Sequence, residues 1–213
     1  MHSASKKAFF GDIVLEVCDQ VYEPAEDSFL FAENLHVKAG AQVLDMGTGS
    51  GLLAILAAKQ ACEGVAMDIN PHAVKCAKQN AQRNDAAGKI AFLQGDLFAP
   101  LTENAKFDLI LFNAPYLPSE RGEEESWLGR AWAGGATGRQ VIDKFIAQAP
   151  RHLERDGEIL LMQSNLAGIE ETQAAFQAVD LNTEILVQRN LPFFETLFLL
   201  KATFAHSQLG KLD

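Results

Sequence analysis

The stretch that decides the fold is Val43-Leu44-Asp45-Met46-Gly47-Thr48-Gly49-Ser50-Gly51-Leu52-Leu53-Ala54-Ile55. A short aliphatic run closes on an acid, glycines follow at every second position, and a second aliphatic run begins at once. This order is strand, tight turn, helix. Glycine admits positive φ and lets a ligand approach the main chain, and the helix that starts here presents unpaired N–H groups. The spacing differs from the GxGxxG pattern that cradles a pyrophosphate. It suits a ligand with no phosphate and a charged amino-acid end, such as S-adenosylmethionine, although a glycine-rich turn of this kind can also serve close packing alone.

Outward from this unit, aliphatic runs alternate with helical patterns, as in repeated βα units. Strands are predicted at residues 42–45, 64–68, 89–93, 107–112 and 158–162, and helices at 50–60, 71–84 and 138–153. Asn70 is placed to cap the helix that Pro71 begins, and Gly88 marks its stop. An amphipathic segment at 24–35, with Phe29, Leu30 and Leu35, precedes the first strand as an N-terminal helix covering the site. Beyond residue 162 come a helix near 167–178 and two strands, 183–188 and 193–202, joined by a turn around Pro192. The expected fold is α/β: a doubly wound, mostly parallel seven-stranded Rossmann-like sheet ending in an antiparallel hairpin. That arrangement is associated with class I methyltransferases, by analogy of fold alone.

The 213 residues, 48% of them apolar, suffice for one core, so residues 1–213 are read as a single domain, with 1–36 as an N-terminal segment over the site. No apolar run approaches the roughly 20 residues of a membrane span, and the start lacks a secretory apolar region, which places the chain in the cytoplasm. Cys18, Cys62 and Cys76 show neither a disulfide framework nor zinc-ligand spacing and are expected to be buried or half-buried thiols. The formal charge of −10 argues against direct nucleic-acid binding, which normally needs a basic surface. Residues 113–137 lack periodicity, and a loop of that length tends to be functional or mobile.

Two further acids end predicted strands. Asp68 closes Val65-Ala66-Met67-Asp68, where a carboxylate can accept ribose hydroxyls, and Asp96, in Gly95-Asp96-Leu97, can accept from an adenine amine. The fourth strand ends in Asn113-Ala114-Pro115-Tyr116. The Asn113 side-chain carbonyl and the Ala114 main-chain carbonyl can each accept one N–H of a planar NH₂ group. Its nitrogen then faces the methyl donor, and catalysis is largely orientation and desolvation. Pro115 stiffens the turn and Tyr116 offers an aromatic wall.

At these residues the chain resembles the glutamine and adenine amino-methyltransferases, whose usual motif is Asn-Pro-Pro-Tyr. The segment Val21-Tyr22-Glu23-Pro24-Ala25-Glu26-Asp27-Ser28-Phe29 is similar to the N-terminal signature of the HemK-like branch of archaea and eukaryotes. Ala131-Trp132-Ala133-Gly134-Gly135, Gly138-Arg139 and Val141-Ile142-Asp143-Lys144-Phe145 resemble its post-motif loop and helix. The resemblance implies methylation of the side-chain amide of the glutamine in the Gly-Gly-Gln loop of class I release factors, with S-adenosyl-L-methionine as cofactor and S-adenosyl-L-homocysteine as product. Carried over by position, Tyr22, Pro24, Ser28, Asp45, Gly47, Gly49, Gly51, Asp68, Ile69, Asp96, Leu97 and Asn113 line the cofactor, and Asn113, Ala114, Pro115 and Tyr116 form the catalytic motif. It also implies a small zinc-binding activator at the edge strand 89–93, with Ile90 and Phe92 as contacts; ordinary core residues of an edge strand account for these two equally well. Ala114 departs from the family's proline: it keeps the main-chain acceptor, loosens the loop and adds a donor. An adenine amino group and a lysine side chain are the alternative acceptors.

Glu123-Glu124-Glu125 reads as a solvated charge run, and Trp127 and Trp132 as a lid or as anchors of the loop. His36, His72 and His152 have no ligand spacing, and no metal site is expected.

Overall fold

The structure, a computed structural model, describes residues 6–60 and 62–205; the outermost residues of the expected span 1–213 lie outside the described residues. The chain opens with a hairpin of β1 (Lys6–Phe10) and β2 (Ile13–Val17), then α1 (Glu26–Glu33). The central run is β3 (Gln42–Met46), α2 (Leu52–Lys59), β4 (Glu63–Asp68), α3 (Pro71–Arg83), β5 (Ile90–Gln94) and β6 (Phe107–Asn113). There follow α4 (Trp127–Arg130), α5 (Gln140–Gln148), β7 (Leu153–Ser164), α6 (Ile169–Gln177), β8 (Leu181–Asn190) and β9 (Thr196–Phe204).

The sheet runs β5-β4-β3-β6-β7-β9-β8, and β9 alone runs antiparallel to the other six strands. It is the doubly wound, mostly parallel seven-stranded sheet expected from the alternation of apolar runs. From β3 the chain winds outward to β5, then returns to β6 on the other side. Right-handed crossovers therefore put the helices on opposite faces, and a crevice opens between β3 and β6. Contacts agree: α1, α2 and α3 touch in succession, and α5 packs on α6. Because the central strands are covered twice, Leu109-Ile110-Leu111-Phe112 is buried at every position.

Three features depart from expectation. The helix predicted over 138–153 ends at Gln148, because Pro150 supplies no N–H and constrains Ala149; residues 149–152 form a 3₁₀ turn, and β7 starts at Leu153. The β1–β2 hairpin was not predicted, although Gly11-Asp12 between two apolar segments is a hairpin signal. Alone, two strands are marginal. Here α3 completes them with side chains: Asn84 exchanges hydrogen bonds with the N–H and C=O of Val14 (3.0 and 2.9 Å), and Asn80 does the same with Glu16 (2.9 and 3.0 Å). Asn80 also donates to the Ser50 carbonyl at 2.9 Å, tying the hairpin to the glycine turn.

The third departure concerns cysteine. Cys18 and Cys76 form a disulfide with Cα atoms 5.9 Å apart, and Cys62 is a buried thiol. A separation of 58 residues carries no local motif, so only the docking of the hairpin on α3 brings the two together. No helix among the described residues is long and apolar enough to cross a membrane.

Asn80→Ala strips partners from three main-chain groups at once. It should lower unfolding free energy by about 2 kcal/mol, measured by urea denaturation.

Candidate active site

The crevice between β3 and β6 holds a cavity of about 440 Å³. Its floor is the glycine turn, where Gly47, Gly49 and Gly51 have φ of 66°, 54° and 92°. At Gly51 the requirement is double: φ is positive, and a Cβ would lie 3.0 Å from the Ala77 Cα on α3. Gly51 thus secures helix packing and does not reach the cavity wall, unlike Gly47 and Gly49.

Two acids brace this turn. Oδ2 of Asp45 accepts from the Thr48 hydroxyl (2.6 Å) and the Ala54 N–H (3.1 Å), joining the end of β3 to the first turn of α2. Asp68 accepts from the Gly49 and Asn70 N–H groups at 3.0 and 2.9 Å. Neither has an ion-pair partner among the described residues. Burial outweighs these bonds: it pushes the Asp45 carboxyl up to about 7, with the nearby Asp68 adding to the rise, and it raises Asp68 as well. Arg130 and Lys144 line the same cavity but are paired with neither acid, so the wall formed by these two desolvated acids favours a ligand carrying positive charge and hydroxyl donors. Further along the wall, Asp96 is exposed and Leu97 is buried with φ of 46°, a left-handed conformation uncommon for leucine. Tyr22, Pro24, Ser28 and Ile69 also face this cavity.

The opposite wall is the end of β6. Asn113 Nδ2 donates to Asp27 Oδ2 at 3.1 Å and to Ser28 Oγ at 3.3 Å. Its Oδ1 is buried and has no hydrogen-bond partner among the described residues. The amide orientation is not arbitrary: a carboxylate can only accept, so Asp27 takes the NH₂ side and leaves the carbonyl oxygen to the cavity. Asp27 is the hub of this network. It also accepts from the Ser28 N–H (2.6 Å) and hydroxyl (3.1 Å), the Tyr22 phenol (3.4 Å) and the Tyr116 phenol (3.3 Å). Burial first, then the Asp27 charge, raises both phenols well above their usual range, which keeps them protonated as donors. Lying in the first turn of α1, Asp27 also meets the positive end of the helix dipole.

Tyr116 does not line the first cavity. It belongs to a second, of about 340 Å³, walled by Tyr22, Asp27, Ala114, Tyr116, Leu117, Ala131 and Trp132. Tyr22, Asp27, Ala114 and Ala131 border both spaces, so the two meet at Ala114, next to Asn113 on the wall of the first. The long loop is ordered around this junction: the Leu117 N–H donates to the Trp132 carbonyl (3.0 Å), and the Gly134 N–H to the Leu117 carbonyl (2.8 Å). Gly138, with φ of 73°, packs so tightly that a Cβ would overlap the Tyr116 carbonyl. Arg139 bonds the Ala167 and Gly168 carbonyls and the Thr172 hydroxyl. Trp127, under Arg130, lines the first cavity and Trp132 the second, while Glu123, Glu124 and Glu125 are exposed. His152 stacks on Phe98 and bonds the Ala105 carbonyl, well inside the core.

Asp27 lies within the N-terminal signature without a role that its sequence position assigns. The available signal is that Asp27 stands four residues before Phe31, so that at helical spacing the acid shares a face with an apolar side chain that must be buried.

The profile of the ribosomal protein L11 methyltransferase (PrmA) family matches residues 22–114, the segment from the N-terminal signature to the end of β6. A candidate protein N5-glutamine methyltransferase of Methanocaldococcus jannaschii is 41% identical over 187 residues, covering 87% of this chain and 93% of that protein. The human methyltransferase HEMK2 is 34% identical over 208 residues, covering 92% and 95%. Among solved structures, the E. cuniculi Mtq2-Trm112 complex, responsible for methylation of the eRF1 translation termination factor, aligns with a TM-score of 0.66 at 24% identity, covering 87% of this chain and 99% of that one. At that identity the likeness is one of fold.

The raised Asp45 carboxyl has a signed consequence. Between about pH 4 and pH 7 the ligand-free folded chain holds a proton at Asp45 that the unfolded chain has released, so this group's contribution to stability falls as pH rises through that window. Melting curves from pH 4 to 8 should show a flatter profile for Asp45→Asn than for the wild type.

Proposed function

Because the chain belongs to the HEMK2-like family of methyltransferases, we propose that it methylates the side-chain amide of the glutamine in the Gly-Gly-Gln loop of a class I peptide chain release factor, using S-adenosyl-L-methionine. The observation that carries this reading is the buried Oδ1 of Asn113, without a hydrogen-bond partner among the described residues, on the wall of the first cavity beside its junction with the second. A buried acceptor of this kind is costly unless a ligand satisfies it. A primary amide presents a suitable N–H there, and in this reading the main-chain carbonyl of Ala114, which borders both cavities, accepts the second.

Bound S-adenosylmethionine supplies an electrophilic methyl group on a sulfonium. The residues that hold it in this reading are Tyr22, Pro24, Ser28, Gly47, Gly49, Asp68, Ile69, Asp96 and Leu97 on the first cavity, with Asp45 behind the turn and Gly51 shaping it. The donor set fits a ligand with a positive charge, ribose hydroxyls and an adenine amine. Asn113, Ala114, Pro115 and Tyr116 orient the acceptor. Two N–H bonds fix the amide plane, which turns the nitrogen's lone-pair face toward the methyl group. Asp27 polarises the Asn113 amide through Nδ2, so that Oδ1 is a stronger acceptor, and the acceptor nitrogen would exchange one proton, lost to water, for the methyl group. The Tyr22 and Tyr116 phenols surround the Asp27 charge and exclude water from it.

In this reading the described chain acts as one catalytic domain, with α1 and the segment before it forming part of the cofactor wall. A small activator subunit, which the family resemblance implies to be zinc-binding, pairs with the free edge of β5. That strand is the sheet margin on the cofactor side, where Ile90 is buried and Phe92 half-buried.

Incubation with labelled cofactor and a class I release factor tests the assignment. Label should enter the protein with its Gly-Gly-Gln glutamine and be absent when that glutamine is replaced; equal labelling of both, or label on adenine or lysine, would falsify it. Asn113→Ala should abolish transfer while cofactor affinity, read by calorimetry, changes by less than about threefold. Asp27→Asn keeps the shape but removes the charge that sets the amide orientation. It should lower kcat about 100-fold at nearly unchanged cofactor KM.

A further inference from the structure

The β8–β9 turn presents two adjacent aromatic side chains to solvent, Phe193 and Phe194, 97% and 98% exposed. Both sit in the left-handed region, with φ of 62° and 64°. That conformation is costly for a bulky residue, and exposing two phenylalanines is costly again. The turn is nonetheless built. Asn165 donates to the Phe194 carbonyl (3.2 Å) and accepts from the Thr196 N–H (2.8 Å). The Leu191 N–H donates to the Glu195 carbonyl at 2.8 Å, and the Thr196 hydroxyl bonds Asn190 at 3.0 Å. Leu166, next to the bracing asparagine, is half exposed and extends the apolar surface.

Place and charge indicate the occupant. Leu197 pairs with Ser164 at the C-terminal end of β7, so the turn lies at the end of the sheet where the two cavities open. Arg189, at its base, reaches Glu26 and Glu33 on α1, the helix that carries Asp27, and Glu195 is close enough for its charge to act on both Tyr22 and Tyr116. Arg189 is matched by Glu26 and Glu33, and Glu195 adds a third acid with no ion-pair partner among the described residues, so the surround is acidic. The turn belongs to the β8–β9 edge, opposite β5, so a protein docked here leaves the β5 edge free.

We propose that Phe193 and Phe194 are the docking anchor for the folded protein acceptor, engaging an apolar patch flanked by basic residues beside its glutamine loop. This rests on the protein-glutamine reading and adds to it a second contact, away from the reacting amide. Its signature is a split between substrates: a short peptide holding the glutamine reaches only the cavities, whereas the folded acceptor also covers the aromatic pair.

The test uses the full chain, alone and with its activator, against a purified class I release factor and a short peptide spanning its Gly-Gly-Gln loop. For Phe193→Ser/Phe194→Ser, KM for the protein should rise at least tenfold with kcat within twofold, while kcat/KM for the peptide and the melting temperature stay at wild-type values. Added salt should raise KM for the protein more steeply than for the peptide. Unchanged protein KM overturns the anchor, as does an equal loss on the peptide, which would mean that the pair supports the site itself. Loss of self-association or of activator binding with unchanged protein kinetics assigns the patch to another occupant and also overturns it. If the wild type methylates neither substrate, the glutamine reading fails and takes the anchor with it; methylation of both with no split defeats the anchor alone.

Discussion

The bond between Asp45 and the first turn of α2 is the constraint on which the site depends. By accepting from Thr48 and Ala54, one carboxylate oxygen fixes how the chain leaves β3, and Gly51 can then press against Ala77 of α3. Asp68 repeats the device from the neighbouring strand by accepting from Gly49. Two strands and two helices are thereby locked around a five-residue turn. Keeping the turn rigid without a bound ligand places two carboxyl groups in a poorly solvated wall, where they hold protons more tightly than in water. A ligand bearing positive charge relieves the penalty, so the brace and the binding surface are the same atoms.

Asn113 faces this wall at the switch point of the sheet, and its usefulness depends on a residue 86 positions earlier in the chain. Without Asp27 the amide could rotate by half a turn and offer NH₂ to the acceptor, which would repel an amide N–H. The carboxylate removes that freedom. It survives burial without a cation because five donors and the end of α1 compensate its charge. The N-terminal segment is therefore part of the acceptor site as well as a cover for the cofactor cavity.

Where the sequence was legible, the signals were local. The run Val43 to Ile55 contains its own strand, turn and helix, and Asn70-Pro71 is a cap that acts over two residues: the Asn70 side chain accepts from the His72 N–H. Periodicity located all seven strands of the main sheet, erring chiefly at their ends. The failures are cases in which distant residues decide the outcome. Cys18 and Cys76 meet only after the hairpin docks, and the hairpin docks through Asn80 and Asn84, side chains that read locally as helix surface. Asp27 looked like one acid in an acidic helix start, and only the burial of α1 against β6 and β7 turns it inward. Gly51 and Tyr116 were assigned from motif position, and the fold moved each to a neighbouring task.

The two margins of the sheet differ in physical character. At β5 the strand is short and half-buried, with main-chain groups open along the edge, the condition for pairing with another strand. At the other margin β8 is ten residues long and largely exposed, and its register shifts between Ile185 and Val187, an irregularity of the kind that discourages edge pairing. What that margin offers instead is its end: a braced turn with two exposed aromatics beside the opening of the acceptor cavity. Side-chain burial, unlike strand pairing, requires no particular backbone register from the other protein. That suits a partner which must arrive, present one amide to Asn113 and leave, whereas a continuous strand pairing at β5 suits one that stays.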